Sequence, residues 1–316
     1  MAETAERVVA NVEKVIEGKR EVVRQAVIAL LAEGHLLIED VPGVGKTMLA
    51  KALARSLSCE WRRIQFTPDL LPSDVTGVSI YDAEAGEFVF KPGAVFANIV
   101  LGDEINRASP KTQSALLECM EERQVSADGV THALPPPFMV IATQNPLEHE
   151  GTYTLPESQL DRFMMRLAIG YPDRSSALDI LERHTASEPI DYLEPVLDRP
   201  GVLELVEATR RVHAAESVKA YVIDLVEATR ADTSIFLGAS PRASLFLLRA
   251  AKARALTEGR DYVLPDDVKA LASQVFSHRL LPSADSQMHG VAAGEILAAI
   301  VGRVPVPSRA ARARER

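Results

Sequence analysis

The sequence predicts an α/β protein: a doubly wound parallel sheet followed by an all-helical domain. Three observations predict it. In the first half of the chain, short apolar runs alternate with helical stretches. One of those runs leads through a glycine loop, Val41-Pro42-Gly43-Val44-Gly45-Lys46-Thr47, directly into a helix start. After Tyr171-Pro172-Asp173 the strand signals stop and only helical spacing remains.

The elements follow in order. Residues from about Glu6 to Leu31 read as helices broken at Gly18. Strand signals recur at Gly34–Glu39, Trp61–Phe66, Asn98–Leu101, Phe138–Ala142 and Met165–Ile169. Two hairpins interrupt the alternation. Val78–Tyr81 and Glu87–Phe90 flank Ala83-Glu84-Ala85-Gly86, and Gln124–Ser126 and Thr131–Ala133 flank Asp128-Gly129. Helices are expected at 174–184, 202–214, 217–231, 241–256, 265–275 and 291–300. The domains are therefore expected at 1–190 (core), 191–303 (helical lid) and 304–316. That last piece carries prolines and arginines and reads as a disordered basic tail. No internal repeat is present.

Composition narrows the function. Among 316 residues, 47% are hydrophobic, as in a soluble globular protein. The net charge of −9 argues against a broad nucleic-acid surface. Cys59 and Cys119 lack metal or redox spacing and read as reduced, buried thiols of a cytoplasmic protein. The acidic start, Met1-Ala2-Glu3, has no signal-peptide character, and charges interrupt every apolar run before membrane length.

The glycine loop is a candidate phosphate cradle. Its glycines let backbone N–H groups turn toward an anion, and the helix N-terminus adds its positive end. Pro42, Gly43, Val44, Gly45, Lys46, Thr47 and Met48 form the candidate set. Lys46 can reach β- and γ-phosphates, and the Thr47 hydroxyl can hold Mg²⁺. The full pattern asks for glycine where Asp40 stands.

Ile99–Gly102 is an apolar strand ending in Asp103-Glu104. Asp103 is placed to hold Mg²⁺ through water and Glu104 to polarise an attacking water; an ordinary strand end is the plainer alternative. Ser109-Pro110 forms an N-cap and first-turn pair, and Leu116, Leu117 and Met120 read as core. Thr143 or Asn145, at the tip of the strand through Ala142, can sit beside Glu104, with Asn145 preferred; Asn145-Pro146 is also a turn signal. Arg162 can point into a neighbour's site to stabilise transition-state charge, or pair with Asp161 on the surface. Arg242, in the first turn after Ser240-Pro241, opposes the helix dipole; it faces an anion or lies exposed.

Together these segments resemble AAA+ ATPases, specifically the MoxR family. The motifs are Glu39–Thr47, Asp103–Ala108, Ala142–Pro146, Leu160–Phe163 and Ser240-Pro241-Arg242, and the resemblance covers about residues 8–300. It implies that Gly45-Lys46-Thr47 are Walker A, Asp103-Glu104 Walker B, Asn145 sensor 1, Arg162 the arginine finger and Arg242 sensor 2, acting in cis. Val15-Ile16-Glu17-Gly18 matches the segment that packs on adenine, so Ile16 and Gly18 join the nucleotide set. Lys19 departs from the glutamine common there, and Asp40 is a variation found in the family. The hairpins resemble a helix-2 insert and a hairpin before sensor 1, which in relatives face the pore or a partner. The implied activity is hydrolysis of ATP with Mg²⁺ by a ring of six subunits, remodelling protein clients beside partners with von Willebrand A domains. A DNA-translocating or helicase-like motor is the alternative; a non-hydrolysing nucleotide switch fits less well because Glu104, Asn145 and Arg162 are intact, and a small-molecule kinase least, because it needs neither Arg162 nor a helical lid.

Overall fold

A computed structural model of the chain describes residues 1–84, 86–146, 152–183 and 189–307. The core runs α1 (Ala2–Glu13), α2 (Arg20–Leu31), β1 (Leu36–Glu39), α3 (Lys46–Ser56), β2 (Trp61–Gln65), α4 (Pro72–Thr76), β3 (Gly77–Asp82) and β4 (Glu87–Pro92). It continues through β5 (Ile99–Asp103), α5 (Pro110–Glu122), β6 (Gln124–Ala127), β7 (Val130–Ala133), β8 (Met139–Gln144), α6 (Glu157–Leu160), β9 (Met165–Leu167) and α7 (Arg174–Arg183). The lid adds α8 (Arg199–Arg211), α9 (Glu216–Ala231), β10 (Ile235–Leu237), α10 (Pro241–Thr257), α11 (Pro265–Phe276), β11 (Leu281–Pro282), α12 (Ala284–Met288) and α13 (Ala293–Arg303).

The main sheet has the order β2-β5-β8-β1-β9, with every pairing parallel. β1, β5 and β8 are buried on both faces, as interior strands of a parallel sheet must be. Alternation divides their side chains. Leu36, Ile38, Ile99 and Leu101 join α1–α3, whereas Leu37, Val100 and Val140 join Leu116 and Leu117 of α5 on the other face. The first of these clusters continues into the lid through Leu225, Leu247 and Phe276, so sheet and lid share apolar packing.

Local chemistry sets several boundaries. Ser109 Oγ accepts from Thr112 N at 3.3 Å and Pro110 takes the first helical position of α5. Ser240 caps α10 the same way, accepting from Ala243 N at 3.1 Å. Both expected hairpins form, with Tyr81 opposite Phe88 and Val125 opposite His132. Phe90 stacks on His132 at 3.9 Å and joins them, while Ile80, Tyr81 and Phe88 face outward.

Two expectations change. The lid is helical but not helices alone: β10 and β11 pair antiparallel, Ile235 with Pro282 and Leu237 with Leu281. Strands this short carry no alternation to read, and only tertiary pairing creates them. The start of the expected tail also belongs to the lid. Val304 is buried and its N–H closes α13 on Ile300 O at 3.0 Å. Residues 308–316 lie outside the described part.

Candidate nucleotide site

The carboxyl ends of β1, β5 and β8 place the glycine loop, Asp103-Glu104 and Asn145 along one edge of the sheet. Gly43 and Gly45 adopt φ of +84° and +96°, a left-handed backbone that turns consecutive N–H groups inward. A Cβ at Gly43 would meet nothing within 4 Å, so the loop is open on its phosphate side. Lys46 Nζ donates to Asp40 O at 2.6 Å and lies over the loop. Val44 and Met48 pack on the core and fix the loop from behind. Ile16 covers the far side, 3.7 Å from where a Cβ on Gly45 would sit. Gly18, at φ +70°, passes so close to Ser176 that a Cβ would stand 2.4 Å from its hydroxyl.

Asp40 gives the loop its root. Its carboxylate accepts from Val41 N at 2.8 Å, Ile169 N at 2.7 Å and Gly170 N at 2.6 Å. The residue that breaks the glycine pattern therefore pins the loop to the chain leaving β9.

Thr143, fully buried, bridges the two acidic residues. Its hydroxyl donates to Asp103 Oδ1 at 2.6 Å and accepts from Glu104 N at 3.0 Å. Glu104 has φ +59°, a conformation that costs a side chain about 1–3 kcal/mol and persists at functional sites. Its Oε2 accepts from Gln65 Nε2 at 2.8 Å and from Arg107 Nη1 at 3.2 Å. Arg63 Nη2 reaches Asp103 Oδ2 at 2.6 Å and Gln65 Oε1 at 2.6 Å. Thr47 and Asp103 supply only oxygen donors, the set that Mg²⁺ takes. The guanidinium already seated on Asp103 shows that this carboxylate is turned toward positive charge. The donors thus fit Mg²⁺ held by the Thr47 hydroxyl and, through water, by Asp103.

Arg162 and Arg242 lie elsewhere. The C-terminal end of α5 sits at the opposite edge of the sheet, where Met120 O meets His35 Nε2 just before β1. There Arg162 Nη1 donates to Leu117 O at 2.8 Å and pairs with Glu121 at 2.9 Å. Arg242 pairs with the other oxygen of the same Glu121 and lies 3.9 Å from Asp161. Asp161 is engaged by Arg279 and Ser240 rather than by Arg162. The expectation placed Arg242 at the chain's own nucleotide; here it meets Glu121 at the edge that the length of β1, ~13 Å at about 3.3 Å per residue, separates from the glycine loop. The lid helix α10 crosses to the side where α5 ends, and its first turn goes with it.

Comparison with known proteins agrees with this architecture. A family model described as "ATPase family associated with various cellular activities (AAA)" matches residues 35–165, and an AAA lid domain model matches residues 227–300. Chaperone MoxR1 of Mycobacterium tuberculosis is 40% identical over 313 residues, covering 96% of this chain and 82% of its own. The chain belongs to the MoxR family of AAA ATPases. The uncharacterised protein YeaC of Bacillus subtilis is 50% identical, covering 95% of this chain and 94% of its own. The crystal structure of a proposed ATPase from Cytophaga hutchinsonii superposes with a TM-score of 0.90 at 40% identity, covering 97% of this chain and 96% of that one.

MoxR-family membership implies nucleotide binding, and AAA proteins typically oligomerise. Four polar residues around the acidic pair escaped sequence reasoning or were set second to Asn145: Arg63, Gln65, Arg107 and Thr143. A signal existed for two of them. Arg63 and Gln65 are polar at i and i+2 on β2, which directs both toward one face beside Leu101 and Asp103 of β5. Among the described residues no helix is long and apolar enough to cross a membrane.

Proposed function

We propose that this chain hydrolyses ATP in pockets built jointly by two copies, as a ring-forming, chaperone-like ATPase. One observation carries the reading. The phosphate loop and acidic pair occupy one edge of the sheet and both candidate charge-neutralising arginines occupy the other, so no single chain completes a site.

In this mechanism the N–H groups of the glycine loop and Lys46 hold the β- and γ-phosphates, with Ile16 and Gly18 walling the base. Thr47 and Asp103 hold Mg²⁺, which supplies charge neutralisation on the phosphates when bound. Glu104 takes a proton from the water that attacks the γ-phosphorus, and Asn145 orients that water. Gln65 and Arg107 hold the Glu104 carboxylate until the nucleotide arrives. Arg162 and Arg242 of the adjoining copy meet the charge that develops on the transferred group. Six copies would close the ring, and lid movement after hydrolysis would act on protein clients. The chaperone relative MoxR1 supports the remodelling role, and the resemblance to the family points to partners with von Willebrand A domains. Buried thiols at Cys59 and Cys119 suit the reducing cytoplasm.

The test is complementation. Arg162→Ala and Glu104→Gln chains, each inactive alone, should regain part of the wild-type rate when co-assembled, because an intact pocket then meets an intact arginine. Verified mixed rings that stay inactive would exclude a shared site.

A further inference from the structure

The segment carrying Arg162 is bonded to the lid through its neighbours on both sides. Arg279, in the 3-10 turn Ser277–Arg279 that follows α11, donates from Nε to Asp161 Oδ1 at 2.8 Å and from Nη2 to Asp161 O at 2.9 Å. The same guanidinium reaches the Phe163 carbonyl, and Nη1 reaches Met164 O at 3.3 Å. His278 Nε2 lies 3.1 Å from Phe163 O, and Ser240 Oγ donates to Asp161 Oδ1 at 2.8 Å. The strand that follows, β9, is three residues long and lies at the sheet edge with β1 as its one neighbour. The core holds this segment through β9 and through α5, where Phe163 is buried and Arg162 itself meets Leu117 O and Glu121, and the lid holds the backbone and the Asp161 carboxylate on either flank of Arg162.

Arg279 is only 4% exposed and its ring-facing plane sits over Phe246 at 5.3 Å. Burial lowers its pKa to about 10, with Asp161 opposing that shift, so it stays charged at neutral pH. Burying a guanidinium is costly, and apolar packing would stabilise the junction as well. What a guanidinium adds is a planar fork of donors that fixes the direction of the groups it binds.

We propose that Arg279 and Asp161 are positioning residues that make the Arg162 segment move with its own lid, so that lid movement in one subunit sets the reach of Arg162 into the next subunit's ATP site. The proposal rests on the shared-pocket reading above and adds the link between consecutive sites. Hydrolysis at one pocket shifts that subunit's lid; the lid draws the 161–164 segment; the arginine at the adjoining pocket advances or withdraws.

Full-length Arg279→Lys and Asp161→Asn test it. A misplacement of about 1 Å at a charge-stabilising group can cost about 10²-fold. Each variant should lose about 10- to 100-fold in kcat, with KM for ATP and the affinity for a fluorescent ATP analogue within about twofold of wild type. Each should also be rescued by co-assembly with Glu104→Gln subunits, whose own arginine segment is intact. A structural defect confined to the variant's own pocket would raise KM and resist rescue. Wild-type kcat in both variants, or a loss that Glu104→Gln cannot rescue while it does rescue Arg162→Ala, overturns the proposal. Failure to rescue Arg162→Ala itself overturns the shared pocket and this inference with it. Should Arg279→Lys not fold, Asp161→Asn carries the same outcomes.

Discussion

Asp40→Gly restores the strict phosphate-loop pattern and should nevertheless weaken the protein. The carboxylate it removes accepts three backbone N–H groups at 2.6–2.8 Å, two of them on the Ile169-Gly170 segment that leaves β9. Hydrogen bonds to a charged acceptor contribute about 1.5–3 kcal/mol each when buried. Asp40 is only half-buried and water can replace part of the set, so about 1 kcal/mol each is the working figure. Glycine adds about 0.5–1 kcal/mol of backbone entropy lost on folding. The expected sum is about 3–4 kcal/mol, read as a lower urea midpoint at unchanged slope. Asp40→Asn keeps one acceptor and should lose about half as much. An Asp40→Gly chain whose unfolding free energy stays within about 0.5 kcal/mol of the parent would refute the account of Asp40 as the root of the loop.

Three further outcomes follow from other residues. Lys46→Ala should abolish binding of a fluorescent ATP analogue; unchanged affinity would remove the cradle. Burial pushes the His35 imidazole down to about 4 from an ordinary 6.5, and Val140 N donates to its Nδ1 at 2.9 Å, which requires the neutral ring. The unfolded chain takes up a proton between those pH values and the folded chain does not. Stability should therefore be full above pH 6.5 and fall by up to about 3 kcal/mol as pH drops toward 4. His35→Gln should flatten that part of the pH–stability curve, whatever its own cost at pH 7. Burial raises the Glu33 pKa, but bonds from Arg123 and Arg210 outweigh it and leave the carboxyl below its usual range. Glu33→Gln should cost about 2 kcal/mol at neutral pH, with the difference from wild type shrinking as pH falls from 4.5 through the lowered folded value.

Much of the nucleotide edge was legible in the chain. An apolar run before Val41, a glycine loop after it and helical spacing beyond are local patterns, and local backbone preferences alone position Gly43, Gly45 and Lys46. Ile99–Asp103 announced itself in the same way, as a buried strand ending in acid. The hairpins carried turn residues at the right offsets, as did the caps at Ser109 and Ser240. The ribbon of Ile235–Leu237 with Leu281–Pro282 did not, because two or three residues show no period. Arg107 was equally silent, and although the polar alternation of Arg63 and Gln65 marked one face of β2, nothing in the spacing reveals that Gln65 and Arg107 both end on Glu104.

The order of apolar runs, turns and helices determined by itself that the chain is a parallel α/β core with a helical lid, and that Lys46, Thr47, Asp103 and Glu104 stand at one sheet edge. Each of those elements is encoded by residues a few positions apart, and the parallel βαβ order then sets their strand ends at one edge. Which edge receives Arg242 and which partners Asp161 takes were decided only by the packing of the lid against the core, and the partners of Arg162 only by the packing of its segment on α5. Those contacts join residues separated by 41 to 121 positions, and a side chain's partner at that range is set by where helices cross, which no local periodicity records.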